Sequence, residues 1–218
     1  MKFLMDSLII SIQSSQKILF SDEKMFDGDG QLNKKNDVIY AYTREHANSI
    51  GGLHGTNKYP YKAMCWIGMS FNGLTKPVFL PPKMSFDSKF YIENVLPIVQ
   101  RDGRKLLGDF VYQQDGARCH TSTASCAAMD SMGINYIKPL HWPANSPDLS
   151  PLDYFLWNEV EVRMKQKKYE NCEQMIKQLV KTFKEIPLEM IRESIKNFMP
   201  RIYELEKIGG AHFPKKFT

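Results

Sequence analysis

Three aspartates stand at places where a short side chain is tied closely to the backbone beneath it. Asp22 follows the apolar run Lys17-Ile18-Leu19-Phe20-Ser21, which reads as a short buried strand ending in an acid. Asp115 closes a second such run, Gly108-Asp109-Phe110-Val111-Tyr112-Gln113-Gln114. Asp153 follows Ser150-Pro151-Leu152, where Ser is an N-cap, Pro takes the first helical position and the acid falls in the first turn of a long helix. Carboxylates are hard oxygen donors suited to magnesium, which keeps several waters and needs few protein ligands. Two such cations, about 3.5–4 Å apart, activate an attacking oxygen and stabilise the charge of phosphodiester cleavage. Each acid also has an ordinary reading: Asp22 as a polar residue leaving a strand, Asp115-Gly116 as a turn pair, and Asp153 as a capping-box residue favoured by the helix dipole.

The elements between the acids must decide whether they meet. Residues 27–61 are polar and rich in Gly, Asn and Lys, too long for a hairpin turn and read as an inserted functional loop. Ala63-Met64-Cys65-Trp66-Ile67-Gly68-Met69-Ser70-Phe71 is a second strand, Asn72-Gly73 a hairpin signal and Pro77-Val78-Phe79-Leu80 a third strand. Ser85 is the expected N-cap of a helix carrying Phe90, Ile92, Val95, Leu96 and Val99 at intervals of three and four, with Pro97 kinking or subdividing it. The Asp115 strand comes fourth. Residues 121–132 then read as a helix ended by Gly133, and Ile134-Asn135-Tyr136-Ile137 as a fifth short strand. Residues 141–151 form a Pro- and Ser-rich loop, and residues 170–206 an amphipathic helical region broken near Pro187 and Pro200. This alternation predicts an α/β fold with a mixed sheet flanked by helices. The order is similar to that of the ribonuclease-H-like fold, whose first strand is central and whose fourth lies parallel beside it. That resemblance, rather than spacing, implies that Asp22 and Asp115 come together.

Composition bounds the reading. With 218 residues, 43% hydrophobic and 24% charged, the chain is long enough to bury a core. We read residues 1–16 as a lead-in, 17–168 as an α/β domain and 169–218 as a C-terminal helical extension. A net charge of +5 favours an anionic partner without identifying it, and residues 161–218 hold thirteen Lys and Arg against eight Glu. Four cysteines without a CxxC pair read as reduced thiols. Lys2 precedes apolar residues, but Asp6 interrupts them, which argues against a secretory signal, and no stretch approaches a membrane span.

Three blocks carry a specific likeness: Phe20-Ser21-Asp22-Glu23-Lys24, then Gln113-Gln114-Asp115-Gly116-Ala117-Arg118-Cys119-His120-Thr121, then Trp142-Pro143-Ala144-Asn145-Ser146-Pro147-Asp148-Leu149-Ser150-Pro151-Leu152-Asp153-Tyr154-Phe155-Leu156-Trp157. In this order they resemble the Tc1/mariner superfamily of transposases, the third block most specifically. The resemblance implies a ribonuclease-H-like mixed five-stranded sheet flanked by helices, with a C-terminal helical extension. It also implies that Asp22, Asp115 and Asp153 are catalytic and hold two Mg²⁺ or Mn²⁺ ions. The implied activity is cleavage of DNA at element ends and joining of the freed 3′-hydroxyl to target DNA, by a homodimer, in the nucleus, with no membrane and no small-molecule cofactor. The family's third acid follows the second Pro of the Ser-Pro-Asp-Leu-Ser-Pro run, which selects Asp153 and leaves Asp148 to structure the loop. The 37 residues between Asp115 and Asp153, and an Asp as third acid, make the chain similar to mariner-like members. Two departures lie beside Asp115: Arg118 where a Pro is usual and Gly116 where many members have Asn. A third concerns length, because family members carry two helix-turn-helix units ahead of the catalytic domain, whereas the first catalytic strand here begins near residue 17. The chain is therefore read as a truncated copy, an excised domain or a sequence begun too late, with that recognition module absent.

Asp27-Gly28-Asp29-Gly30 lacks the further oxygen ligands and terminal Glu of an EF-hand. The resemblance to mariner-like members implies an inter-subunit clamp for the 27–61 insertion, and a solvated surface loop is the equal alternative. His120 is placed to orient a phosphate or a catalytic water, or simply to bond within its loop. Trp142 and Trp157 read as core or loop anchors rather than base-stacking platforms. Lys165-Gln166-Lys167-Lys168 reads as a phosphate contact or a solvated helix end. Two other functions remain in view. One is a catalytically inactive or domesticated remnant acting as a DNA-binding or protein-interaction module. The other is a nuclease acting on RNA–DNA hybrids, which the third block disfavours.

Overall fold

A computed structural model describes residues 15–28, 41–47, 49, 61–143, 146–164 and 169–209. Most of the lead-in, most of the 27–61 insertion with its Asp29-Gly30 pair, and the Lys165 to Lys168 run lie outside the described residues.

The central strand β1 (Ile18–Asp27) pairs antiparallel with β2 (Lys62–Ser70), in register from Phe20 opposite Met69 to Asp27 opposite Lys62. On its other edge β1 runs parallel to β5 (Val111–Gln113), but only from Ile18 opposite Val111 to Phe20 opposite Gln113. The outer edge of β2 carries two short pieces, β3 (Gly73–Leu74) and β4 (Val78–Phe79), which act as one interrupted strand. The five-stranded sheet thus has the order β3-β2-β1-β5, with β4 also on β2.

Three strand expectations are corrected. β1 does not end at Asp22; it continues to Asp27 because β2 supplies antiparallel partners along its full length. The Asp115 strand is trimmed to three residues, so that acid stands two residues beyond it. The expected strand at 134–137 is a single parallel bridge between Tyr136 and Tyr112, since the segment is confined between Gly133 and Pro139.

Strand alternation divides the core. Ile18 and Phe20 of β1, with Cys65, Ile67 and Met69 of β2, pack under α3 (Trp157–Met164), α4 (Cys172–Glu185), α5 (Leu188–Lys196) and α6 (Phe198–Lys207). The helices beyond residue 169 therefore contribute Leu179, Ile195 and Phe198 to the same core as the strands. Leu19, Trp66 and Tyr112 face the opposite layer, formed by α1 (Leu96–Leu107) and α2 (Thr123–Ser131).

Local chemistry sets the helix ends. Asp87, rather than the expected Ser85, caps the turn before α1, its Oδ1 accepting from the Phe90 N–H at 2.9 Å. Pro97 subdivides that helix: a wide turn at Tyr91–Val95 precedes it, and Pro lies in the first turn of α1, where its missing N–H is not needed. Gly133, with φ +64°, ends α2 as the sequence predicts. The last break falls at Asn197 instead of Pro200, which places Pro200 in the tolerant first turn of α6. Among the described residues, no helix is long and apolar enough to cross a membrane.

Candidate active site

The parallel pairing of β1 with β5 ends at Phe20, and beyond that residue this edge of β1 has no strand beside it among the described residues. Asp22 is the next residue of β1 on the face of Ile18 and Phe20, and its backbone pairs only with Ile67 of β2. Its Oδ2 accepts the indole N–H of Trp157 at 2.7 Å. Trp157 follows Asp153 by four residues, and that spacing puts the indole and the third carboxylate on one helix face. The Asp153 N–H donates to Ser150 Oγ at 3.3 Å, so Ser150 caps the helix start that carries the acid. Asp115 sits in the loop after β5, where its Oδ1 accepts both the Ala117 N–H at 3.0 Å and His120 Nδ1–H at 2.7 Å. A carboxylate only accepts, so this pair places a proton on Nδ1.

All three aspartates line one cleft of about 400 Å³. Gln113 and Ser21 belong to its sheet side, while Pro139, Trp142, Pro143 and Pro147 give it an apolar wall. Asp148 is not among the lining residues. Its carbonyl oxygen instead accepts from Arg201 Nη1 at 3.0 Å, and the same guanidinium lies 3.9 Å over the Tyr154 ring. Tyr154 OH in turn donates to the Ser194 carbonyl at 2.7 Å. Helices α5 and α6 thereby fix the loop that presents Asp153.

The acids differ in proton affinity. Burial and the nearby Asp153 charge push Asp22 up to about 7, against the stabilising indole hydrogen bond. Asp153 is raised by burial, with Ser150 and Lys24 opposing and Asp115 and Asp148 adding to the rise. Asp115 is held below the ordinary carboxylate range by its hydrogen bond with His120, which outweighs burial. A divalent cation would relieve the repulsion that raises Asp22 and Asp153, and the donors are hard oxygens, so the set fits a metal of the magnesium type.

Sequence reasoning placed Asp22, Asp115 and Asp153 but missed a second group on the opposite face of β1. Glu23, next in the alternation, brings Oε1 within 3.2 Å of His120 Nε2, an ion-pair distance outside hydrogen-bond geometry. Donor atoms of Glu23, Asp115 and His120 all lie within 4.8 Å of one another, a tighter set than the three aspartates form. His120 is buried and packs at 4.7 Å between ring centroids on Tyr91. Burial alone would disfavour its protonation, but Asp115, Cys119 and Glu23 hold it protonated well above the ordinary histidine range. The only sequence signal was the five-residue step from Asp115 to His120. Trp157 was placed as an anchor, and its role at Asp22 needed the fold.

A central strand and a parallel neighbour deliver two acids to one cleft, and a helix packed on the face of β1 that carries Asp22 adds a third; this defines a ribonuclease-H-like α/β domain. The architecture matches the catalytic domain of Mos1 mariner transposase, with a TM-score of 0.71 and 18% identity, over 98% of this chain and 91% of that one. It also matches Mos1 transposase in a paired-end complex with the left transposon end, with a TM-score of 0.78 and 19% identity, over 98% of this chain and 61% of that one. No family model matches the chain. Among curated proteins it is 28% identical over 202 residues to the Tc3 transposase of Caenorhabditis elegans, covering 89% of this chain and 56% of the relative. It is 32% identical over 131 residues to the Tcb1 transposase of Caenorhabditis briggsae, covering 59% of this chain and 46% of the relative. The chain is thus similar in sequence to transposases of the Tc1 and Tc3 elements and in fold to Mos1 mariner transposase. It spans about half the length of the curated relatives it matches.

Proposed function

We propose that this chain is the catalytic domain of a DNA transposase, which cuts phosphodiester bonds at element ends and joins the freed 3′-hydroxyl to a phosphate of target DNA, breaking the target phosphodiester bond. The observation that carries this reading is the convergence of Asp22, Asp115 and Asp153, from two strands and a helix, on one cleft. Mos1 structures with Mn and with Mg support the use of a divalent cation, and its paired-end and strand transfer complexes support DNA as the partner. We assign the metal to these three aspartates and the number of ions to two, Mg²⁺ or Mn²⁺. The homodimer and the nuclear location belong to the same reading.

The chain's own residues divide the work. Trp157 holds one oxygen of Asp22, and Ala117 with His120 holds one oxygen of Asp115, which leaves the other oxygen of each carboxylate for the cation. Ser150 fixes the helix start from which Asp153 reaches the same cleft. The apolar wall of Pro139, Trp142, Pro143 and Pro147 offers a surface for sugar and base and limits water near the phosphate. When bound, divalent cations supply the positive charge that activates the attacking oxygen and neutralises the phosphate in transfer.

The test is nicking of supercoiled plasmid by the purified protein with Mn²⁺, beside Asp22→Asn, Asp115→Asn and Asp153→Asn. Each substitution is expected to lower the rate about a thousandfold, the loss of several kcal/mol of charge stabilisation. Equal nicking by wild type and Asp153→Asn would refute the site. No nicking by any of the proteins would favour a non-catalytic, domesticated role.

A further inference from the structure

Asp115 is the most exposed partner in a buried polar arrangement that the reaction does not explain. Its side chain is 55% exposed, whereas His120, which contacts it, is 3% exposed and Glu23, beyond the imidazole, is 11% exposed. His120 therefore stands with one ring nitrogen at a cleft carboxylate and the other at a buried one. The ring is fixed from the side by Tyr91 at 4.7 Å and from its edge by Phe86 at 6.3 Å. Glu23 is held in turn by its place in β1, opposite Trp66 of β2. With its neighbours packed, the imidazole has little freedom to turn, and the orientation of Asp115 is set from beneath the cleft.

The same donor atoms invite a second reading, as a compact metal site of one imidazole and two carboxylates. The geometry disfavours it, because both ring nitrogens already face a carboxylate, and a metal would have to displace one of them. The consequence for Asp115 is specific: Oδ1 receives both N–H donors, while the residue itself lines the cleft. Ligating carboxylates are commonly fixed in this way by outer hydrogen bonds.

We propose that Glu23 and His120 form a positioning relay that presents Asp115 to the cation through one oxygen. His120 Nδ1 sets the carboxylate, and Glu23 sets the tilt of the imidazole through Nε2. This rests on the assignment of Asp115 as a metal ligand. Neither relay residue lines the cleft, so they act through Asp115 and not on DNA.

The two ring nitrogens can be separated by substitution. In His120→Asn the amide nitrogen takes the place of Nδ1 and keeps the donor to Asp115; in His120→Gln it takes the place of Nε2 and keeps only the contact with Glu23. Mn²⁺ binding to the full chain, measured by electron paramagnetic resonance without DNA, reads the effect directly. His120→Gln and His120→Ala are expected to weaken binding 10- to 100-fold, about the cost of losing an outer hydrogen bond to a ligand, and His120→Asn by only about threefold. Glu23→Gln, which keeps the side-chain shape, is expected to fall between them. Adding His120→Gln to Asp115→Asn is expected to cost nothing further, since the relay acts only through that acid. A purely structural histidine would lower the melting temperature of all three variants without ranking Mn²⁺ affinity by nitrogen. Wild-type affinity in His120→Gln, or an equal loss in His120→Asn and His120→Gln, would overturn the relay while leaving the aspartate site intact. Failure of the wild type itself to bind Mn²⁺ would overturn both. If His120→Ala does not fold, the Asn and Gln variants and Glu23→Gln carry the test.

Discussion

Asp22 within β1 and Asp115 just beyond the parallel β5 face one cleft, and each accepts a nitrogen donor at 2.7 Å, yet they lie on opposite sides of ordinary carboxylate acidity. Asp22 is raised to about 7 because it is buried near Asp153 and its donor is a neutral indole. Asp115 is lowered because its donor is a cationic imidazole. The two also differ in where their support comes from. Trp157 reaches Asp22 across 135 residues of sequence, whereas Ala117 and His120 follow Asp115 within five. A cation site here combines one carboxylate that is reluctant to ionise with one already set to bind.

That contrast can be broken from either side. Trp157→Phe keeps the ring and removes the N–H, so Asp22 loses the one side-chain contact that favours its charge. Mn²⁺ affinity at neutral pH is expected to fall about tenfold, and the midpoint of its pH dependence to rise by about one unit, from the loss of a charge-assisted hydrogen bond. A midpoint that stays in place would show that the indole only packs against the acid. Calorimetric titration with Mn²⁺ between about pH 6 and 8 separates the two cases.

Stability without metal gives a smaller effect of opposite sign at the two acids. Asp22 binds its proton more tightly folded than unfolded, so its contribution is fully present below about pH 4 and is lost as pH rises through about 7. Asp115 is depressed, so its contribution is present above about pH 4 and is lost as pH falls through its lower folded value. In a chelating buffer at pH 8, Asp22→Asn is therefore expected to raise the melting temperature, by roughly 2–4 °C for each kcal/mol relieved. Asp115→Asn is expected to lower it, by a smaller amount because that side chain is half exposed. Shifts of the same sign would contradict the contrast.

The acids were legible because each closes an apolar run or opens a capped helix, and both signals are local. The cap of Ser150 on the Asp153 N–H, and the end of α2 at Gly133, follow from chemistry within four residues. The length of β1 was not legible. Its last five residues, Glu23 to Asp27, are polar apart from Met25 and Phe26, and they are strand only because β2 lies beside them. The contacts of Trp157 with Asp22, and of Arg201 with the Asp148 carbonyl, join segments that have no relation in sequence until the sheet and its helix layer form. Glu23 was hidden for another reason. Adjacent acids in a strand point to opposite faces, so one motif, Ser21-Asp22-Glu23-Lys24, supplies both the cleft and the polar group behind it.

The central claim is that Asp22, Asp115 and Asp153 hold the metal, and crystals of the chain soaked with Mn²⁺ test it most directly through the anomalous signal of the ion. The account predicts a peak in the cleft with carboxylate oxygens of Asp22 and Asp115 at roughly 2 Å and Asp153 bordering the same site. A strongest peak among Glu23, Asp115 and His120, away from Asp22 and Asp153, would contradict it.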